Sequence, residues 1–473
     1  MSASPRWSVP QEWNWVTVSD IADVTGGGTP SVRNSENFVD DGGIPWITPA
    51  DLTGYEGAYI SRGKRNLSDQ GYAKSSAKLL PTGAVLFTSR APIGYCAIAS
   101  NPIATNQGFK SLTLYGGISA EYTRLYLKWS KPFLETMASG TTFLELSGSK
   151  LQKAPFPLPP LAEQKRIVTK LDALSARSTR ARGELDRIDT LVKRYKQAVL
   201  SKAFSGELTA QSKWKPCPDD FAVYVRSGQL PAAWKIEELG SISEIQSGLA
   251  LGKKRKADVD LIELPYLRVA NVQRGWLALD EIKTVGVTEK EAEKLFLHPG
   301  DILMNEGGDR DKLGRGWVWE GQIDRCIHQN HVFRVRLQNE VLPPRFVSYF
   351  ANAFGQRHFF DQGKQTTNLA SISKSKLSAM QIPVPSFDEA QQIVRRIESA
   401  FGKIDRLAAE AKRALELTDR LDEAILAKAF RGELVPQDPD DEPASVLLER
   451  IKAERAAAPK AKRGRGRGKK EKA

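Results

Sequence analysis

Side chains that could bind a metal, attack a carbon or move a proton are few in this chain, and none stands in a working arrangement. Cys326, His328 and His331 lie close together and offer nitrogen and sulfur ligands of the kind zinc takes. No second cysteine or acidic pair completes four ligands, and residues two apart on a strand share a face without chelating geometry. Gly26-Gly27-Gly28-Thr29-Pro30 is rich in glycine, yet no Gly-Lys-Ser/Thr follows to build a phosphate-cradling loop, so a tight turn leaving a strand explains it better. Gly363-Lys364-Gln365-Thr366 departs from the same nucleotide motif. Asn101-Pro102-Ile103-Ala104 begins like the Asn-Pro-Pro-aromatic motif of amino-methyltransferases but lacks the second proline and the ring. With four histidines and no Ser-His-Asp or paired-carboxylate pattern, the sequence predicts neither catalysis nor a metal in this chain alone.

Composition narrows the remaining classes. A chain of 473 residues exceeds what one hydrophobic core usually organises, and its 41% apolar and 26% charged residues are those of a globular protein. No apolar run is long enough to cross a bilayer, and residues 1–10 lack the layout of a signal peptide. Three cysteines, Cys96, Cys217 and Cys326, with no close pair, point to a reducing cytoplasm. The net charge of +13 suits a polyanionic partner, but residues 459–473 carry eight Lys or Arg against one Glu, contributing +7 and leaving +6 for the body. Glycine alternates with arginine from Arg463 to Gly468, a composition that cannot form a core and predicts disorder. That tail reads equally as a phosphate-seeking arm or as a solubilising one.

An internal repeat organises the rest. Residues 157–209 and 383–435 align without a gap at an offset of 226. Pro157-Leu-Pro159 answers Pro383-Val-Pro385, and the closing stretches 198–208 and 424–434 agree at eight of eleven positions. Fainter echoes precede each copy: Val9-Pro10-Gln-Glu-Trp13 with Leu230-Pro231-Ala-Ala-Trp234, Gly27 with Gly248, and Ile44-Pro45-Trp46-Ile47 with Leu264-Pro265-Tyr266-Leu267. The layout is therefore variable unit, similar spacer, variable unit, similar spacer, tail.

The spacers are helical. Ile167, Leu171, Leu174, Ser178, Ala181, Leu185, Ile188, Val192, Tyr195 and Val199 alternate steps of four and three, as do Ile393, Ile397, Ala400, Ile404, Leu407, Ala411, Ala414, Thr418, Leu421 and Ile425. A period of 3.5 puts one narrow apolar stripe on each helix, the seam of a left-handed coiled coil. Pro160 and Pro385 start the helices and Gly206 and Gly432 stop them, giving about 40 residues or roughly 60 Å each. The simplest arrangement pairs the two stripes; the other packs each helix along its own neighbouring domain.

The variable units read as mixed α/β or α+β with unreadable sheet order. Residues 84–88, 301–304, 316–319 and 332–335 have strand composition, and 121–137 and 344–360 have helical spacing. Tyr122, Leu125, Tyr126, Trp129, Phe346, Tyr349, Phe350 and Phe354 fit a core better than a stacking platform. Two similar, divergent domains on a rigid spacer suit the reading of two different short DNA sequences at a fixed separation.

Here the chain resembles a known family. The run Pro157-Leu-Pro-Pro-Leu-Ala-Glu-Gln-Lys-Arg-Ile-Val168, its second copy and the Lys-Ala-Phe-x-Gly-Glu-Leu closures are similar to those of the specificity subunits of type I restriction-modification systems. Residues 447–457 with the basic tail resemble the type IA branch. The second copy departs from the pattern, with Ser386, Phe387 and Ala390 in place of Pro, Leu and Gln. The resemblance covers the full length. It implies a non-catalytic, cytoplasmic subunit of mixed α/β fold, with two target-recognition domains separated by two long helices forming an antiparallel coiled coil in a pseudo-two-fold repeat. The expected division is 1–156, first recognition domain; 157–209, central helical spacer; 210–229, linker; 230–382, second recognition domain; 383–435, distal spacer; and 436–473, a C-terminal helix and basic tail.

The same resemblance implies the partners: double-stranded DNA, two methyltransferase subunits carrying S-adenosylmethionine, and two restriction-translocase subunits using ATP and magnesium. The product would be N6-methyladenine on each strand of a bipartite, asymmetric site. The other readings are a stand-alone sequence-specific DNA-binding protein and a coiled-coil scaffold. For base contact, forked donors and amides on loops are the candidates: Arg90, Asn106 and Gln107 in the first domain, and Arg268, Asn271, Gln273, Arg274, Arg310, Gln329 and Asn330 in the second. For phosphates they are Lys64 and Arg65, and Lys253, Lys254, Arg255 and Lys256. Each reads alternatively as a solvated loop residue or a turn-capping amide.

Overall fold

The computed structural model describes residues 7–90, 92–140, 144–209, 213–218, 221, 228–250, 260–308, 313–338, 340–362, 364–365 and 370–457. The chain folds as two compact units, Met1–Glu184 with Ala414–Ala473, and Leu185–Arg413. Among the described residues no helix is long and apolar enough to cross a membrane.

In the first unit a five-stranded sheet has the order Ala22–Gly26, Lys110–Leu114, Val85–Ser89, Ile93–Ala99, Tyr59–Ile60. A four-stranded sheet follows Phe38–Val39, Asn66–Leu67, Ile44–Ile47, Ala104–Thr105. Helical spacing over 121–137 resolves into two helices, Ala120–Trp129 and Lys131–Met137. Pro132 stands in the first turn of the second helix, where its missing N–H costs nothing. Tyr122 and Tyr126 project from the first of them into the core, and their hydroxyls donate to the carbonyls of Pro157 (3.0 Å) and Pro155 (2.8 Å). A buried phenol needs such a partner, so the tyrosines fix the helix on strand Pro155–Leu158.

The second unit repeats this plan. Its four-stranded sheet has the order Ser243–Ser247, Val332–Leu337, Ile302–Asn305, Gly316–Val318, and a three-stranded sheet follows Lys283–Val287, Ile262–Leu267, Ile327–His328. Helix Pro344–Gln362 carries Phe346 and Phe350 into the core, both fully buried. In both units an N-terminal strand pairs antiparallel with the strand that leads into a long helix: Asn14–Thr17 with Pro155–Leu158, and Lys235–Glu238 with Gln381–Val384.

The closing motifs of the repeat act as core plugs. Phe430 packs among Tyr122, Tyr126 and Trp129 in the first unit, and Phe204 among Phe346, Phe350 and Phe354 in the second. The left-handed glycines behind them, Gly432 (φ 77°) and Gly206 (φ 84°), press against Pro10 and Pro231. A Cβ on either would sit 2.3 Å from a proline ring carbon, which accounts for both the glycines and the repeated prolines. The starts of the helices are buried in the same way: Ile167 and Leu171 in the first unit's core, Ile393 and Ile397 in the second's.

Each unit therefore contains the start of one long helix and the end of the other. The distal helix runs unbroken over Phe387–Arg431, whereas the central one is interrupted at Arg187, giving Leu161–Asp186 and Ile188–Phe204. The interruption follows Gly183, where helix propensity is lowest. In the first unit Asp422 accepts from Ser178 Oγ and Arg182 Nη2, both at 2.6 Å, and Asp419 accepts from Arg182 at 2.8 Å. In the second, Lys196 pairs with Asp405 at 2.6 Å. The paired residue numbers add to between 600 and 604, a nearly constant sum, as they must where one helix ascends and its partner descends.

Ile167, Leu171, Leu174, Leu185, Ile188, Val192, Ile393, Ile397, Ile404 and Ile425 are buried or half-buried. Leu407 and Leu421 correct the expected seam, being 64% and 55% exposed. From Ile404 to Asp422 the half-buried positions are Ile404, Ala408, Ala411, Ala414, Leu415, Thr418 and Asp422. Apart from Ala414, which flanks Leu415, the 3.5-residue period is the same, but the step of four comes before the step of three. Small side chains on that face, with Asp422 bridging Ser178 and Arg182, hold the helices together there, and the two leucines turn outward.

Candidate nucleic-acid interface

In both units a short strand lies parallel to the repeated apolar strand, and an amide-rich turn follows it. Trp46 and Ile47 pair with Ala104 and Thr105, and Tyr266 and Leu267 with Ile327 and His328. The next residues are Asn106-Gln107 and Gln329-Asn330. Asn106 N donates to Ile47 O (3.0 Å) and Gln329 N to Leu267 O (2.9 Å). Phe109 N closes the first turn on Asn106 O (3.2 Å), and Val332 N the second on Gln329 O (2.9 Å). These four candidates thus occupy equivalent places in the two domains.

A second loop crosses beneath each turn. Gly28 N donates to Thr105 O and Leu249 N to His328 O, both at 2.8 Å. A Cβ on Gly27 would stand 1.9 Å from Asn106 O, and one on Gly248 2.1 Å from His328 O. The glycine run is therefore not the tight turn expected of it. None of Gly26, Gly27 and Gly28 has left-handed backbone, and Gly27 is required by the close approach of two chains. Gly27→Ala and Gly248→Ala are each expected to lower stability by roughly 2–3 kcal/mol, since one backbone segment must shift. Urea midpoints check this, and unchanged midpoints would show that the crossing is loose.

The strand end before Arg90 joins the first turn, with Ser89 N donating to Gly108 O (2.7 Å). Arg90 itself faces Glu145 at 3.7 Å and is partly exposed. The equivalent bond in the second unit runs from Glu306 N to His331 O (2.9 Å). Lys64 is exposed, and Arg65 lies over the Phe38 ring at 4.6 Å. Arg310, Lys253, Lys254, Arg255 and Lys256 lie outside the described residues.

The loop 268–274 gives a different picture. Asn271 is 3% exposed; its amide donates to Ala278 O (2.8 Å) and Glu281 O (3.0 Å), and its oxygen accepts from Arg268 N (2.9 Å). It is a turn-capping amide and not a base contact, because a buried amide must find its partners inside the fold. Arg268 reaches Glu281 at 3.3 Å, Gln273 donates to Ala270 O at 2.6 Å, and Arg274 donates to Asn352 O at 2.5 Å. Of these, Arg274 is exposed.

Cys326, His328 and His331 do not converge. Cys326 is buried and its thiol is pushed up to about 12 by burial. His328 is buried, its Nδ1 bonds Val332 O at 2.8 Å, and burial lowers its pKa to about 4. His331 is exposed and faces Glu306 at 3.1 Å. Among the described residues no group of three His, Cys, Asp or Glu could hold a metal ion. What the two units share is a rigid turn bearing hydrogen-bonding amides, an arrangement suited to reading polar edges rather than to bond making. The sequence reading missed one neighbour of that turn, Arg33, although the offset of 221 that aligns Gly27 with Gly248 also aligns Arg33 with Lys254.

Comparison with known proteins agrees with this layout. The "Type I restriction modification DNA specificity domain" family model matches residues 10–189 and 231–417. The chain is 33% identical over 273 residues to the type I restriction enzyme MjaIX specificity subunit of Methanocaldococcus jannaschii, covering 56% of this chain and 60% of that one. It is 26% identical to the EcoKI specificity subunit of Escherichia coli strain K12, covering 95% of this chain and 97% of the relative. The crystal structure of the HsdS subunit from Thermoanaerobacter tengcongensis shares the fold, with a TM-score of 0.61 and 19% identity over 91% of this chain and all of the other. Matched in both halves and organised as a duplicated pair of mixed α/β units, the chain belongs to the type I restriction-modification DNA specificity family.

Proposed function

We propose that this chain is the DNA sequence-recognition subunit of a type I restriction-modification complex. Each recognition domain reads one half of a bipartite, asymmetric site, and the paired helices set the distance between the halves. The chain is non-catalytic. The observation that carries this is the repetition of one rigid, amide-bearing turn in two divergent domains, because duplication with divergence is what reading two different half-sites requires. Base edges in the major groove present distinct donor and acceptor patterns, and Gln, Asn and Arg match them with two bonds at once. Arg90, Asn106, Gln107, Arg268, Gln273, Arg274, Arg310, Gln329 and Asn330 are the proposed base-reading set. Lys64, Arg65, Lys253, Lys254, Arg255 and Lys256 are the proposed phosphate contacts.

The methyl group and the energy for translocation would come from partners: two methyltransferase subunits with S-adenosylmethionine, and two restriction-translocase subunits with ATP and magnesium. The role of this chain is then to place an adenine of each half-site before a methyltransferase. An electrophoretic shift with random DNA, run with this chain alone and with a methyltransferase subunit, tests the reading. Binding that is specific in the assembled complex supports it, and no binding in either arm would favour a scaffold. In the same assay, deleting 459–473 is expected to lower affinity for all sequences alike and flatten the salt dependence. An unchanged salt slope would assign the tail to solubility.

A further inference from the structure

The loop 29–33, Ser76 and Gln107 enclose an open, polar cleft on the first unit. Gln107 is exposed at its edge, on a turn that cannot drift, because Asn106 N, Gly28 N and the bare Gly27 lock it to two neighbouring strands. The two amides of the turn are held in different ways. Asn106 Oδ1 accepts from Gly108 N at 2.9 Å, so the oxygen caps the turn and the NH2 group is left for a base. The Gln107 carbonyl accepts from the Thr29 hydroxyl, which orients the amide while leaving a second lone pair and the NH2 group for a ligand.

Of the other residues lining the cleft, Val32 is 64% exposed and Arg33 is exposed, with no ion pair of Arg33 among the described residues. An apolar methyl pair, a free cation and an oriented amide within one cleft match the edge of a base pair and its phosphate. The repeat adds an independent observation. Offsets of 221 and 223 place Lys254 opposite Arg33 and Asn330 opposite Gln107, so both domains keep a cation and an amide at these positions although their sequences have diverged.

We propose that this cleft reads one base pair of the first half-site, with Gln107 paired to an adenine through its N6 and N7, Val32 against a thymine methyl, and Arg33 on a backbone phosphate. The inference rests on the reading of the first domain as a DNA-recognition domain. An amide accepts from N6–H and donates to N7 at once, and only adenine presents that pair in the major groove.

The test is methylation of a random-sequence library by the complex assembled with a methyltransferase partner, comparing wild type, Gln107→Ala, Gln107→Glu and Arg33→Ala. Gln107→Ala is expected to lose about ten- to hundredfold discrimination at one position of the first half-site, with the second half-site unchanged. Gln107→Glu, which cannot donate to N7, is expected to turn that position away from adenine and toward cytosine. Arg33→Ala is expected to weaken binding to all sequences alike and to reduce the salt slope by about one. Wild-type motifs from both Gln107 variants, at unchanged melting temperature, would overturn the cleft assignment and leave the recognition function standing. A wild-type complex that methylates without sequence preference would overturn both.

Discussion

Exchanging residues 231–382 for those of another specificity subunit is expected to change one half of the methylated sequence and leave the other half as it was. The exchanged segment holds the four- and three-stranded sheets and the amide-bearing turn of the second unit, whose core is separate from that of the first. The cut at 231 falls beside Gly206, and the cut at 382 falls in strand Gln381–Val384, which pairs with Lys235–Glu238. The transplant must therefore supply residues that accept Phe204, Ile393 and Ile397, which stay behind with the helices and are buried in that core. Phe346, Phe350 and Phe354 meet Phe204 here, so a donor with aromatic residues at those places is the sound choice. Each wrong base pair costs about 1–3 kcal/mol, so a whole half-site should shift by orders of magnitude in preference. Mapping methylated adenines decides the matter, and a change in both half-sites would end the modular reading.

Much of this organisation was legible because the repeat recorded contacts twice. Gly27 with Gly248, Pro10 with Pro231 and Phe204 with Phe430 stand out as echoes, and in the structure each marks a place where backbone or ring is pressed against a neighbour. A lone glycine says little, but the same glycine kept in two diverged copies reports a spatial constraint. Asn271 shows the limit. An amide in a turn has the same letters whether it faces DNA or its own backbone, and its partners Ala278 and Glu281 are set by how a later part of the loop folds back. Leu407 and Leu421 show another. A 3.5 period defines a stripe, but where Leu407 competes with Ala408, or Leu421 with Asp422, the face chosen depends on the partner helix; Asp422 meets Ser178 and Arg182. Sheet order escaped the sequence because parallel pairs such as Trp46 with Ala104 join residues far apart in the chain.

Adding one heptad to each long helix, near Leu185 and Ala411, is expected to lengthen the preferred spacer between the half-sites. Leu185 is the first residue of the second unit, and Ala411 lies three residues before the boundary at Ala414, so the insertions leave the cores within each unit untouched. Both positions are half-buried, and a heptad returns the same face to the partner helix. Seven residues add roughly 10 Å of helix, because a helix does not stretch as a loop does. At about 3.4 Å per base pair along each strand, the optimum should move by about three pairs. Three pairs also rotate the second half-site by roughly a quarter turn or more at about 10.5 pairs per turn, while the heptad itself turns the helix face hardly at all. Binding should therefore weaken even as the optimum shifts, through the strain of twisting DNA or protein into register. A target library that varies only the spacer measures both effects by methylation. A longer optimum with both half-sites retained supports the helices as the ruler. An unchanged optimum would mean that something other than the helices sets the spacing.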